Sequence, residues 1–210
     1  MENNSSNSKF FFQFSISIIG WFAVFLQLYL IIENRVASIP ETVIRFFSFF
    51  TVLTNILVAI CFSILILKPK SNLGIFFSNP KNMTAVTLYI LIVGIVYNAI
   101  LRFLWVPEGF QKVADEILHL VIPILVLVYW IKFIDKKYLN FQNILPWLIF
   151  PSIYLVYTLI RGHFYLYYPY PFLDVIQLGY NSVFINCFFM VMAFFIVGSL
   201  LIMYARFKSK

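Results

Sequence analysis

The sequence predicts an all-α integral membrane protein, a bundle of six transmembrane helices with both termini on the cytoplasmic side. Three observations carry this. Of 210 residues, 62% are hydrophobic and 11% charged, with a mean hydropathy of +0.93, against about 45–50% apolar and about 25% charged in a soluble domain. So few charges cannot clothe a water-facing surface, and such apolarity excludes disorder. The apolar residues also fall in continuous runs of about 20, the length a helix needs to cross roughly 30 Å of hydrocarbon. Membrane β-strands would instead alternate over about 10 residues. Finally, lysine and arginine are biased toward one set of loops.

The runs are about 10–32, 43–67, 84–105, 113–134, 144–160 and 182–205. They form one domain over residues 1–210, with no linker and no internal repeat. The first follows the polar Met1–Lys9 stretch; it is too long for a signal peptide and lacks a small-residue cleavage site. The second and fourth carry polar residues near their starts. The third and sixth are read on length and apolarity alone. The fifth is short and holds Pro146 and Pro151, which neighbouring helices accommodate by re-satisfying the freed backbone groups.

With both termini inside, the inner segments hold Lys9, Lys68, Lys70, Lys81, Lys132, Lys136, Lys137, Arg206, Lys208 and Lys210, ten of the 15 basic residues. The outer segments hold Arg35, Arg45, Arg102, Lys112 and Arg161. Six of the 8 acids, Glu33, Glu41, Glu108, Asp115, Glu116 and Asp174, also fall outside. The lysine and arginine bias alone sets this orientation. The formal net charge of +7 therefore reports topology and not a nucleic-acid partner. Cys61 and Cys187 lie in apolar runs, where free cysteine behaves as a small hydrophobe.

One connection is unusual. The stretch Arg161–Tyr180, RGHFYLYYPYPFLDVIQLGY, is too aromatic for a flexible loop and too proline-broken for a span. It reads either as part of an aromatic belt at the headgroups or as a lid over the outer mouth of the bundle.

Polar side chains in hydrocarbon are costly and face the bundle interior, so they mark candidate chemistry. Span two opens Arg45-Phe46-Phe47-Ser48-Phe49-Phe50-Thr51-Val52-Leu53-Thr54-Asn55. On a continuous helix, Arg45, Ser48, Thr51 and Asn55 share most of one face. Span four opens Asp115-Glu116-Ile117-Leu118-His119 and continues to Pro123, with both acids on the side of the histidine. Ser48 and His119 lie about five and six residues into their spans, roughly 7–9 Å deep at 1.5 Å per residue, and Thr51 lies about a turn deeper. A hydroxyl and an imidazole at matching depth can meet across two helices, with Asp174 in the outer loop above them. The bland alternatives are specific too. Such hydroxyls bond their own preceding carbonyls, a buried histidine takes a structural hydrogen bond, the entrance acids are solvated, and Arg45 snorkels to the interface.

No G-x-S-x-G elbow, H-E-x-x-H helix, phosphate loop or dinucleotide fingerprint is present. His119 and His163 have no metal-ligand spacing. No cofactor and no metal are expected.

The run RFFSFFTVLTN (45–55), the element His119-x-x-x-Pro123 and the motif Tyr170-Pro171-Phe172-Leu173-Asp174 together resemble the bacterial Pr6Pr family of six-span membrane proteins. More distantly, they resemble the eukaryotic androgen-induced transmembrane hydrolases, threonine-dependent enzymes that cleave fatty acid esters of hydroxy fatty acids. The resemblance covers most of the chain. It implies a hydroxyl–histidine site with His119 as base, in a protein of the bacterial inner membrane. The register of the eukaryotic motif puts Ser48 at the nucleophile, whereas residue type favours Thr51. The spacing from His119 to Pro123 is one residue shorter than in that pattern. Asp115, Glu116 or Asp174 would orient the imidazole, and Arg45, Asn55 or a backbone amide of the outer loop would serve an oxyanion.

A hydroxyl is a poor nucleophile until a base takes its proton, and neutral imidazole does this near pH 7. The expected partners are the bilayer and a lipid-ester substrate. Two other readings use the same residues: a carrier for a small solute or lipid, and a structural membrane protein.

Overall fold

In the computed structural model, residues 2–208 are described, with side chains from residue 6 onward. Lys210, counted among the inner cations, lies outside the described residues. Among these, six helices are long and apolar enough to cross a membrane: Ser6–Glu33, Phe50–Leu67, Pro80–Phe103, Gly109–Phe133, Phe141–Tyr165 and Val175–Lys208. No strand occurs among them. The chain is a multi-pass helical membrane protein.

Helix α1 (Glu2–Glu33) packs chiefly on α3 (Phe50–Leu67). Small residues allow this approach: a Cβ on Gly20 would stand 3.3 Å from that of Ala59. Without a hydrophobic drive between helices in lipid, such close packing and buried hydrogen bonds hold a bundle together. Such bonds include Ser17 to Ser63 (2.7 Å), Gln13 Nε2 to Tyr129 Oη (2.9 Å) and Trp130 Nε1 to Thr84 Oγ1 (2.8 Å). Each pair lies across two helices.

The expected span 43–67 is not one helix. It divides into α2 (Ile39–Phe46) and α3, with Phe47–Phe49 outside both. The cause is tertiary. Tyr154, on a later helix, donates its hydroxyl to the Ser48 carbonyl (2.9 Å), and Phe49 takes an extended conformation (φ −83°, ψ 126°). A carbonyl supplied with an outside donor no longer needs the helical ladder.

After the short α4 (Asn72–Ser78), capped by Ser71, comes α5 (Pro80–Ala99), capped by Asn79. Span four comprises α6 (Gly109–Glu116), a wide turn with i→i+5 bonds over Ile117–Val121, and α7 (Ile122–Phe133). Pro123 explains the wide turn, because its ring cannot bond the carbonyl four residues back, that of His119. That carbonyl accepts instead from Asn98 Nδ2 (3.1 Å), and the Leu118 carbonyl accepts from Asn55 Nδ2 (3.3 Å). Gly94 makes room: a Cβ there would lie 3.1 Å from the His119 oxygen.

Span five comprises α8 (Ile144–Trp147) and α9 (Ile149–Tyr165), interrupted at Leu148 between the two prolines. It continues five residues past the expected end at 160, so Arg161 is helical and buried. The connection then dips inward, placing Tyr170 and Leu173 in the core. The last helix, α10 (Val175–Lys208), is broken at Gly179, whose φ of +73° suits glycine.

Candidate functional site

The site forms where the starts of α3 and of span four face the loop before α10. His119 sits inside the wide turn. Its Nδ1 lies 2.9 Å from the Asp115 carbonyl oxygen and 3.3 Å from Asp115 Oδ1. Both partners are acceptors, so Nδ1 carries the hydrogen, and Nε2 presents its lone pair. Nε2 has no hydrogen bond among the described residues. Tyr97 of α5 donates its hydroxyl to Asp115 Oδ2 and stacks on the imidazole, with centroids 3.7 Å apart at 14°. Asp115 is 3% exposed. The carboxylate, the phenol and the ring thus fix one another.

Thr51 lies in the first turn of α3. Four backbone N–H groups are orphaned at such a helix start, and Phe49, at the cap position, offers no side chain to them. Tyr170 fills the gap: the Thr51 N–H donates to its hydroxyl oxygen at 3.1 Å, and Thr51 Oγ1 stands 3.3 Å from the same oxygen. Burial holds the Tyr170 phenol above its usual range, so it remains an O–H donor through neutral pH.

Thr51, His119, Asp115, Tyr97 and Tyr170 line one cavity of about 320 Å³. It opens near Gln27, Gln111 and the half-exposed Trp105.

The remaining expected site residues lie elsewhere. Ser48 belongs to the break between α2 and α3 rather than to a shared helical face. Its hydroxyl donates to the Ile44 carbonyl (2.7 Å), and its oxygen lies 3.1 Å from Tyr157 Oη. It lines neither this cavity nor its neighbour. Glu116 is turned away from His119 into a two-pronged pair with Arg102 (2.6 and 2.9 Å). Asp174 is used up capping α10, accepting from the N–H groups of Ile176 (2.9 Å) and Gln177 (3.2 Å). Asn55 braces the wall, bonding the Thr51 and Leu118 carbonyls, while its buried Oδ1 has no partner among the described residues.

Arg45 joins a second cluster. Its Nε bonds Glu41 Oε1 at 2.8 Å, and Arg161 Nη2 reaches the same oxygen at 2.8 Å. The two guanidiniums flank the Tyr167 ring at 4.3 and 5.0 Å. The hydrogen bond from Arg45, reinforced by Arg161, holds the Glu41 carboxyl below its usual value against the opposing effect of burial.

The chain matches no family model, no curated protein and no solved structure. Its function is therefore argued from geometry.

Sequence reasoning missed Tyr97, Asn98 and the role of Tyr170. The adjacent Tyr97-Asn98 pair, interrupting an apolar span near its far end, was the available signal for the first two. Nothing local marks Tyr170 as the cap of a helix 119 residues away. Among the described residues, no three of His, Cys, Asp and Glu gather as metal ligands.

Proposed function

We propose that this cavity is the active site of a lipid-ester hydrolase, with Thr51 as nucleophile, His119 as general base and Asp115 as the group that orients it. One observation carries the reading. Asp115 holds His119 by Nδ1, leaving Nε2 unpartnered in a cavity shared with the hydroxyl of Thr51. This is the division of labour of an acid–histidine–hydroxyl triad. The resemblance to the Pr6Pr family and to the androgen-induced hydrolases points the same way. The lysine and arginine bias supports a site on the outer side of the membrane, and the resemblance implies that this is a bacterial inner membrane.

In this mechanism His119 Nε2 takes the Thr51 Oγ1 proton as Oγ1 bonds to the ester carbonyl carbon. The base must come within about 2.6–3.2 Å of the hydroxyl, a distance that tightens when substrate binds. The carbonyl oxygen becomes an oxyanion beside the positive end of α3, where backbone N–H groups and the Tyr170 hydroxyl are donors. The carbon–alkoxide bond then breaks, and the imidazolium returns its proton to the departing alcohol. Water, deprotonated by His119, cleaves the acyl-threonine, giving the carboxylic acid and restoring Thr51.

The test is labelling of purified membranes with a fluorophosphonate. Labelling is expected in the wild type and in Ser48→Ala, and is lost in Thr51→Ala and His119→Ala. Loss in Ser48→Ala with retention in Thr51→Ala would move the nucleophile to Ser48. A folded wild type that neither labels nor turns over any ester would end the hydrolase reading.

A further inference from the structure

A second cavity, of about 100 Å³, meets the first at Thr51, Leu101 and Tyr170. It lies between α5, α9 and α10, with walls of Ile92, Val96, Leu155, Met190 and Phe194. Its polar atoms are almost all spoken for. The Tyr154 hydroxyl is turned to the Ser48 carbonyl, and those of Thr51 and Tyr170 stand at the junction. The rim includes Ser152 and Val191, both exposed on the lateral surface between α9 and α10.

We propose that this cavity is the binding site for the hydrocarbon chain of an acyl substrate, entered sideways from the bilayer between α9 and α10. The proposal rests on the reading of Thr51 and His119 as an ester-hydrolysing site, and it names which half of the ester goes where. An apolar cavity stays dry and takes apolar occupants, so it offers nothing to a solute or a headgroup. A linear chain suits it because its walls are apolar, its lining includes the exposed Ser152 and Val191, and the Thr51 hydroxyl stands where the two cavities share residues. A cavity of about 100 Å³ takes part of an acyl chain, and the rest of a long chain would trail into the bilayer.

The first cavity opens instead past Gln27, Gln111 and Trp105. It would take the alcohol half and admit water. The acyl chain and the attacking water thus approach Thr51 from opposite sides, and the chain never leaves apolar surroundings.

Helix α9 is suited to such a gap. Ile153, Val156 and Ile160 all point outward and are more than half exposed. Its backbone comes close to α5 and α10 at isolated points at most. Side chains largely close the space, and side chains part more readily than packed backbones.

Two measurements test this. First, wild-type protein in phosphatidylglycerol–phosphatidylethanolamine vesicles is irradiated with palmitate bearing a diazirine in the half of its chain nearer the carboxyl group, and the adducts are mapped. Enrichment on the α5 and α10 segments holding Val96 and Met190, surviving in Thr51→Ala, is expected. Adducts spread over outward-facing residues in proportion to exposure would overturn the proposal. Second, Val96→Trp and Met190→Trp fill the cavity from two sides. Each should lower the ratio of sixteen-carbon to four-carbon ester turnover at least tenfold. An unchanged ratio in two folded variants would also overturn it. If the wild type hydrolyses neither ester, the catalytic reading fails, and the adduct map alone decides the chain site.

Discussion

The hydroxyl oxygen of Tyr170 sits 3.1 Å from the backbone nitrogen of Thr51 and 3.3 Å from its Oγ1. One phenol thereby caps the helix that presents the candidate nucleophile and touches the nucleophile itself. Tyr170→Phe keeps the ring, which packs on Phe172 and Phe49, and removes only the oxygen. The expected cost is about 1 kcal/mol of stability, the worth of a helix cap. Amide exchange at Thr51 should quicken at the same time. An unchanged exchange rate there would show that the cap does not hold α3.

Asp115 Oδ2 accepts from Tyr97, and Oδ1 lies 3.3 Å from His119 Nδ1, whose hydrogen bond goes to the Asp115 backbone carbonyl. Asn at this position keeps that carbonyl and removes the negative charge that steadies the imidazolium as it forms. Asp115→Asn should lower kcat by about 10²–10⁴-fold with KM little changed, as expected for a group that orients the base. Tyr97→Phe removes one donor and should cost about tenfold, roughly the 1.4 kcal/mol that a hydrogen bond to a charged group contributes. Steady-state kinetics on folded protein checks both. A larger loss in Tyr97→Phe than in Asp115→Asn would reverse the assignment of roles.

Glu41 is bonded to both Arg45 and Arg161, and Arg161 is 6% exposed. Glu41→Gln leaves a buried guanidinium without its anion. A quarter of the Glu41 side chain meets solvent, so the loss is screened to about 1–2 kcal/mol. The pH dependence follows from the depressed carboxyl. Its contribution is complete above the ordinary value of 4.5 and disappears as pH falls through the lower folded value. Thermal melts of wild type and Glu41→Gln should therefore converge as pH falls through that lower folded value. Parallel curves down to pH 2 would rule out this linkage.

A methyl group on Gly94 would press on the His119 carbonyl oxygen and the Pro123 Cβ, both at 3.1 Å. Since Asn98 also holds that carbonyl, the wide turn has no free direction in which to yield. Gly94→Ala should cost about 1–3 kcal/mol, in the range of overpacked cores. It should also displace His119, lowering turnover beyond what the lost stability accounts for. Melting temperature and turnover measured on one preparation separate the two effects.

Parts of the site are legible along the chain. Asp115 and His119 are four apart, so a helix brings them together wherever it is placed. Thr51 and His119 each stand near the start of a span that enters from the same end. The depth comparison misled at Ser48, because it assumes an unbroken helix. Tyr154 takes the Ser48 carbonyl out of the ladder, and helical spacing no longer describes the residues around it. Asp174 likewise reads as a free acid in an aromatic loop, yet the first N–H groups of α10 consume it.

The sequence by itself determined the six apolar helices, because exclusion from water depends on the run of side chains within each segment. It also determined the Asp115–His119 pair, which needs only one turn of helix. The tertiary structure decided the break before α3, the wide turn around His119, the Tyr170 cap and the meeting of a polar with an apolar cavity. Each of these depends on a backbone group or a ring finding a partner many residues away. Local periodicity holds no record of such partners, since any polar side chain at the right place in space would satisfy the same carbonyl or N–H.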